Sequence, residues 1–327
     1  DLDFAKQMES AVHKVGMPIC ADIKEAREQL LRTRNTMLEL ANAHDFKLAA
    51  AGTHPFSRWE KTALLSSHYR IMAGDAEMIM RRMLAFGMHV HIGIEDRELA
   101  IDVMNTMGYV LPHILTLSTS SPFWRGRNTG LKSYRSVIWR NFPRTGTPPI
   151  FDTWADYEYL LSTLILANSL EDASKIWWDV RPSHFYPTLE FRVCDMCTRV
   201  EEAVCMAATL QAIVAKLWKL RRDNLTFRLY PMALISENKW RAVRYGIQGK
   251  LIDLGRGREV RTRTLIHALV DFLDDVLDEL GTRTEVEYAY RILEDGTSAD
   301  RQLKVFEETG DLGAVVKHLI RETAMDC

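Results

Sequence analysis

Cysteine is scarce in this chain, with five thiols in 327 residues. That number is small and odd, which excludes a disulfide framework and favours a reducing, cytoplasmic setting. The one Cys-x-x-Cys, Cys194 and Cys197, lacks a second pair or a suitably spaced histidine to complete a zinc site, so both read as structural thiols. Long hydrophobic runs are missing too. No stretch reads as long enough to span a bilayer and no signal peptide is visible, so no membrane partner is expected. Charge of one sign is not in excess either. The net charge is −2, with lysine and arginine spread along the chain, so no nucleic-acid partner is expected. There is no internal repeat, no low-complexity linker, no P-loop and no Gly-x-Gly-x-x-Gly after a strand. With hydrophobic residues at 47%, the remaining expectation is one globular domain over residues 1–327.

What is present is a mixture of helical and strand patterns without a regular βαβ beat. Asp22 opens a helical pattern to about Ala43, and Asp96 is a candidate N-cap for a helix to about Leu117. Further helices are expected over 64–85, 153–167 and 200–220, and from Thr262 onward with breaks near Gly281, Gly296 and Gly310. Strands are expected at Phe46–Ala51, in "GMHVHIG" (87–93), at Trp177–Arg181 and at Thr188–Asp195. Residues 118–150 are rich in Ser, Thr, Gly, Pro and Arg with interleaved aromatics, too long for an idle connection. The expected class is α+β, a mainly antiparallel sheet with outer helices.

The chemistry concentrates on the strands. Residues two apart on a strand share a face, so His89 and His91 point one way and Met88, Val90 and Ile92 the other. Thr188–Val193 has the same design, with Leu189, Phe191 and Val193 on one face and Glu190 and Arg192 on the other. Asp179 and Arg181 repeat the alternation. Two readings stand: a solvated sheet face laced with salt bridges, or a polar funnel floored by a sheet. The funnel is the better fit, because these strands are short and otherwise strongly apolar. Imidazole and carboxylate together suit a hard divalent ion that also holds phosphate oxygens, and arginine supplies fixed positive charge for a phosphoryl group. Residues 118–150 add Arg125, Arg127, Arg135, Arg140 and Arg144, and "ENKWRAVRYGIQG" (237–249) adds Arg241 and Arg244. His54, His68, His113 and His184 read as structural or surface residues.

These stretches are similar to the bacterial carboxylate-amine ligases often labelled type 2 glutamate–cysteine ligases. The resemblance lies in "AAAGTHPF" (49–56), "FGMHVHIGI" (86–94), "LSTSSPFWRGRNTGLKSYRS" (117–136), "WWDVRPS" (177–183), "TLEFRVCD" (188–195), "ENKWRAVRYGIQG" (237–249) and "EDGTSADRQ" (294–302). It implies a glutamine synthetase-like catalytic fold, ATP and Mg²⁺ as cofactors, and small-molecule substrates, glutamate and cysteine by family default. It also implies amide formation through an acyl phosphate. By analogy His89 and Glu190 would be metal ligands, and His91 would face the ATP phosphates. Arg192 and Arg241 would act on the reacting groups, and Arg135, Arg140 and Arg244 would contact phosphate or carboxylate. The chain departs from the family at its start. Asp1-Leu2-Asp3-Phe4 only faintly mimics the family's Gly-x-Glu-x-Glu strand, and Lys14 stands near a position where a glutamate is usual, with Glu9 a substitute only after a shift. The expectations are therefore an N-terminally incomplete ligase, whose open sheet edge would favour a homo-oligomer, or a non-catalytic relative that binds nucleotide or a small carboxylate.

Overall fold

A computed structural model describes residues 15–57 and 85–325. The expected helix over 64–85, apart from Ala85, and the positions Asp1–Phe4, Glu9, Lys14 and His68, lie outside the described residues.

Helix α1 (Ile23–Ala43) starts where expected, the Asp22 carboxylate accepting from the Glu25 backbone N–H. Its inner face is fixed by Arg34, whose guanidinium donates to the Thr198 carbonyl at 2.5 Å. The expected strand Phe46–Ala51 does not form. Its backbone groups are taken by other parts of the chain: the Ala50 N–H donates to the Thr323 hydroxyl at 2.9 Å, and Phe46 is exposed. After it, Gly52 donates to the Ser120 carbonyl and Thr53 makes one isolated bridge to Ala85.

Strand β1 (Val90–Gly93) leads into α2 (Arg97–Ser118), which Asp96 caps through the amides of Glu98 and Leu99. Helix α2 is apolar almost all round and buried from Leu99 to Ser118 nearly without break, the signature of a core helix. Residues 118–150 are not a bare loop. They hold the short hairpin β2 (Phe123–Trp124) and β3 (Arg127–Asn128), the six-residue helix α3 (Tyr134–Trp139) and strand β4 (Thr145–Gly146). Helix α4 (Trp154–Leu166) opens with a Thr153/Asp156 capping box. Strands β5 (Trp177–Trp178), β6 (Val180–Pro182) and β7 (Thr188–Phe191) follow.

The sheet order is β1-β7-β6, antiparallel throughout, with His91, Glu190 and Arg181 in one cross-strand row. The flanking row of Val90, Phe191 and Val180 includes the fully buried Phe191 and Val180, so the alternation read from sequence sets the two faces. The class is mixed helix and sheet. Helices do not merely surround the sheet, as expected; α2 and α5 (Val200–Arg222) form much of the core.

Helix α5 also corrects the reading that no run reaches bilayer length. By length and composition it could cross a membrane, but 61% of its apolar window is buried inside the protein, against α1, α2, α7 (Thr262–Leu280) and α8 (Arg283–Asp295). A helix that must be apolar on every side to serve a core satisfies the same compositional test as a membrane span. Helix α6 (Met232–Tyr245) and the hairpin β8 (Lys250–Asp253) and β9 (Arg258–Arg261) precede α7. Gly281 ends α7 in the left-handed conformation at φ 64°. Helices α9 (Ser298–Thr309) and α10 (Leu312–Thr323) close the chain, α9 behind a Thr297/Asp300 capping box.

Candidate active site

The expected strand residues converge on one carboxylate. Glu190 lies on β7, the centre of the three-stranded sheet, and is 4% exposed. Its Oε1 accepts from Arg192 Nη1 at 2.5 Å, with His89 Nδ1 at 3.2 Å and His91 Nε2 at 4.0 Å. Its Oε2 accepts from Arg181 Nε at 2.9 Å. Burial pushes the Glu190 carboxyl up, but the two guanidiniums outweigh it and hold the group below the usual carboxylate range. Arg181 is fixed in turn by the carbonyls of Ala173, Ser174 and Ile176. It was read from sequence as part of the polar alternation but not as a site residue; its register opposite Glu190 is what brings it in.

Arg192 is 7% exposed, and burial lowers its guanidinium to about 10, so it stays charged at neutral pH. Its Nε is buried with no hydrogen-bond partner, and its guanidinium lies 5.7 Å from the Trp139 ring centroid. Its Nη1 also sits 3.3 Å from His89 Nδ1, so that nitrogen donates to Glu190 in one tautomer and accepts from Arg192 in the other.

The small helix α3 grips Arg192 from two sides. Trp139 faces its guanidinium, and Arg135, one helical turn earlier, donates to the Arg192 carbonyl at 2.9 Å and the Val193 carbonyl at 3.2 Å. Arg135 also pairs with the fully buried Asp195 at 3.6 Å. Asp195 accepts from the Ser120 amide at 2.9 Å, the Ser121 hydroxyl at 2.7 Å and the Ser133 hydroxyl at 2.8 Å. The close approach of this layer dictates glycine at 87, where a Cβ would stand 2.4 Å from Arg135 Nη2. Arg135, expected to touch a cofactor, is thus 5% exposed with its guanidinium spent on backbone carbonyls and Asp195.

The remaining arginines are not brought into this cluster. Arg140 is exposed at the end of α3. Arg241 pairs with Glu237 at 2.8 Å and Glu259 at 3.0 Å, and Arg244 reaches the Gly130 carbonyl and the face of Tyr245. Among the described residues, no bond links either of them to Glu190. Helix α6 meets the sheet instead through Lys239, which pairs with Asp179 at 2.5 Å.

A dication fits the described side chains poorly. No three of their His, Cys, Asp or Glu groups are arranged to hold a metal ion. The one carboxylate of the row is already clamped by two guanidiniums, whereas magnesium asks for an octahedron of oxygens. Among the described residues the Cys-x-x-Cys pair contributes nothing to such a site: Cys194 and Cys197 are free and buried, and burial pushes the Cys194 thiol up to about 12. His54, in the turn Gly52–Pro55, is used as an acceptor by the amides of Phe56 and Ser57.

An alternating sheet with one polar row, backed by a helical core, defines a mixed helix-and-sheet protein with a buried charged cluster on its sheet. The chain belongs to glutamate-cysteine ligase family 2 (GCS2), whose profile matches residues 2–318. Relatives named "Putative glutamate--cysteine ligase 2" include that of Solibacter usitatus, 48% identical over 97% of this chain and 83% of its own length. The Chloroflexus aggregans protein of that name is 50% identical over 97% of this chain and 82% of its own. The Roseiflexus castenholzii one is 50% identical over 97% and 84%. Among solved structures, a glutamate–cysteine ligase from Francisella tularensis in complex with AMP aligns at TM-score 0.49 and 12% identity. That alignment covers 79% of this chain and 62% of the ligase. The Pup ligase PafA in complex with ADP aligns at TM-score 0.47 and 10% identity, covering 95% and 66%.

Proposed function

We propose that the chain is an ATP-dependent carboxylate-amine ligase of the glutamate–cysteine ligase type, with the His91–Glu190–Arg181 row as the floor of its ligand funnel. In this reading a substrate carboxylate oxygen attacks the γ-phosphorus of ATP and ADP leaves. The amine lone pair then attacks the acyl carbon, the bond to the phosphate oxygen breaks, and phosphate and a proton are released. Such chemistry asks the protein for positioning and for fixed positive charge around the moving phosphoryl group.

The observation that carries this reading is the buried Arg192. It is charged, held by Glu190 and Trp139, and keeps an unpartnered Nε. Arg192 is assigned to the phosphoryl group in flight, and His91, at the exposed end of the row, to the nucleotide phosphates. His89 and Glu190 are the proposed neighbours of any magnesium that arrives with those phosphates; no step is routed through the ion, because the described donors alone do not seat it. Arg140, Arg241 and Arg244 are the cations proposed to meet phosphate or substrate carboxylate, with Arg241 proposed to act on the reacting groups. Arg135 acts from behind, through the Arg192 carbonyl.

The test is ADP release from ATP, Mg²⁺, glutamate and cysteine, compared with the His89→Ala and Glu190→Ala variants. Turnover that both substitutions abolish is the expected result. Turnover no higher than in the variants, with nucleotide still bound, would leave a non-catalytic nucleotide-binding relative.

A further inference from the structure

Helix α8 turns Arg291, Glu294 and Asp295 outward. Helix α4 turns apolar side chains outward instead. Apart from Asp156, Glu158, Ser162 and Thr163, every residue of Trp154–Leu166 is apolar, yet within this helix Tyr157 alone is buried. Tyr159 is 74% and Leu166 83% exposed, and Ile165 is exposed beside them. The two charges of the helix are already engaged within the chain: Asp156 closes the capping box with Thr153, and Glu158 pairs with Arg97 at 3.4 Å. A contiguous apolar surface of this kind marks an interaction site.

The outer strip has a definite spacing. Ala155, Tyr159, Ser162 and Leu166, all exposed, follow one another at intervals of four, three and four, the spacing of a seam between two helices. Small and large side chains alternate along it. Laid antiparallel on a second copy, about a twofold axis between Leu160 and Leu161, the strip sets Tyr159 against Ser162 of the other helix and Leu166 against Ala155. Large meets small at every step, which is how facing helices interdigitate. The Ser162 hydroxyl already donates to the Tyr159 carbonyl at 3.0 Å, so covering it strands no donor. No charge stands in the strip to meet its own copy across the axis.

The apolar surface continues beyond the strip. By helical rotation Ile165 lies between it and the side of α4 whose Trp154, Tyr157 and Leu161 line a cavity of about 310 Å³. Phe185 and Tyr186, from the turn between β6 and β7, line the same cavity and are 72% and 59% exposed. At about 200 Å² per ring, Tyr159, Phe185 and Tyr186 leave about 400 Å² of aromatic surface in water. That is half of the about 800 Å² that each member of a stable pair buries. Leu166, Ile165 and Ala155 add to it along a helix about 20 Å long.

From the spacing, the missing charge and the area we propose that α4 is the contact through which two copies of this chain pair, antiparallel, with the β6–β7 turn at the rim. A helix, and not the open sheet edge expected from the sequence, carries the association. Tyr186 also meets the His91 imidazole edge to face, ring centroids 6.3 Å apart, so the rim of the pair touches the charged row. The proposal stands apart from the ligase reading, and its test needs no turnover.

Sedimentation equilibrium of the full chain reads the pairing. The unsubstituted chain sediments at twice its 37.6 kDa and dissociates on dilution. Leu166→Glu, a change at an exposed position, drives a carboxylate into the apolar seam and raises the dissociation constant at least about a hundredfold. A chain that stays monomeric throughout overturns the proposal. So does a dimer indifferent to Leu166→Glu, which would be paired through another surface such as the sheet edge.

The register has its own test. Positions 155 and 166 of one helix are about 16 Å apart, too far for a disulfide between them. Mild oxidation of the Ala155→Cys/Leu166→Cys double variant therefore joins these positions only through a second copy. The double variant cross-links above the level of the unsubstituted chain, and neither single variant does. No cross-link in the double variant overturns the antiparallel seam, and cross-linking by Leu166→Cys alone replaces it with a parallel one.

Discussion

Glu190 and Asp195 are both buried carboxylates on one short segment, and they are stabilised in opposite ways. Glu190 is surrounded by cations and potential cations: Arg181, Arg192, His89 and His91. Asp195 is surrounded mostly by neutral donors, an amide and two serine hydroxyls, with Arg135 farther off. The first carboxyl is held below its usual range, while burial pushes the second up. Neutral donors fix a geometry and have nothing further to offer a ligand. Charged partners can turn to an incoming phosphate when one arrives, so in the proposed reading the Glu190 side meets the ligand and the Asp195 side supports it.

The largest effect expected from breaking this contrast is that of Glu190→Ala, which leaves two buried guanidiniums unpaired. Removal of one member of such a buried ionic set costs about 3–5 kcal/mol, read as a lowered midpoint in urea unfolding together with loss of ADP release. Next comes Gly87→Ala, which drives a methyl into Arg135. Overpacking of this kind costs about 1–3 kcal/mol. Its signature is a parallel loss of activity, because Arg135 carries the Arg192 carbonyl; full activity in a destabilised Gly87→Ala protein would detach the two layers from each other.

The pH dependence then sharpens the comparison. Glu190's folded pKa lies below its unfolded value of about 4.3, so its stabilisation is present above that pH and is lost as pH falls through the lower folded value. Asp195's folded pKa lies above its unfolded value of about 3.9, so its contribution is largest at low pH and is lost as pH rises through the folded value. Stability of the unsubstituted chain minus that of Glu190→Gln should rise with pH across the acid range, and the same difference for Asp195→Asn should fall. Matching slopes would erase the distinction. The smallest effect is that of Trp139→Leu, which removes a cation–π contact of about 1 kcal/mol and lowers kcat more than it lowers stability, measured on the same preparation.

Much of this contrast was legible in the sequence, on one side only. The period-2 alternation put His89, His91, Glu190 and Arg192 on a common face, and the structure joins them through Glu190. Asp22 and Asp96 announced their helices, since an N-cap is a local signal. The Asp195 layer was invisible because its partners, Ser121, Ser133 and Arg135, come from a region with no readable period. Helix α3 is six residues long, too short for periodicity to register. The false strand at Phe46–Ala51 had the right composition, but the Ala50 amide found its partner at Thr323 and the Ala50 carbonyl at Thr198, tertiary bonds that no local pattern encodes. Arg241 and Arg244 were grouped with the site because they are arginines beside an aromatic; in the structure their first partners are Glu237, Glu259 and Gly130.

Helix α5 carries a consequence for how the protein is made. It is apolar enough to pass for a membrane span, and two of the helices that cover it, α7 and α8, lie downstream in the chain. During synthesis the ribosome therefore completes Val200–Arg222 before half of its shelter has been translated. For that interval the nascent chain displays a greasy rod of bilayer length, and the speed with which Thr262–Asp295 arrives and docks sets how long it stays uncovered.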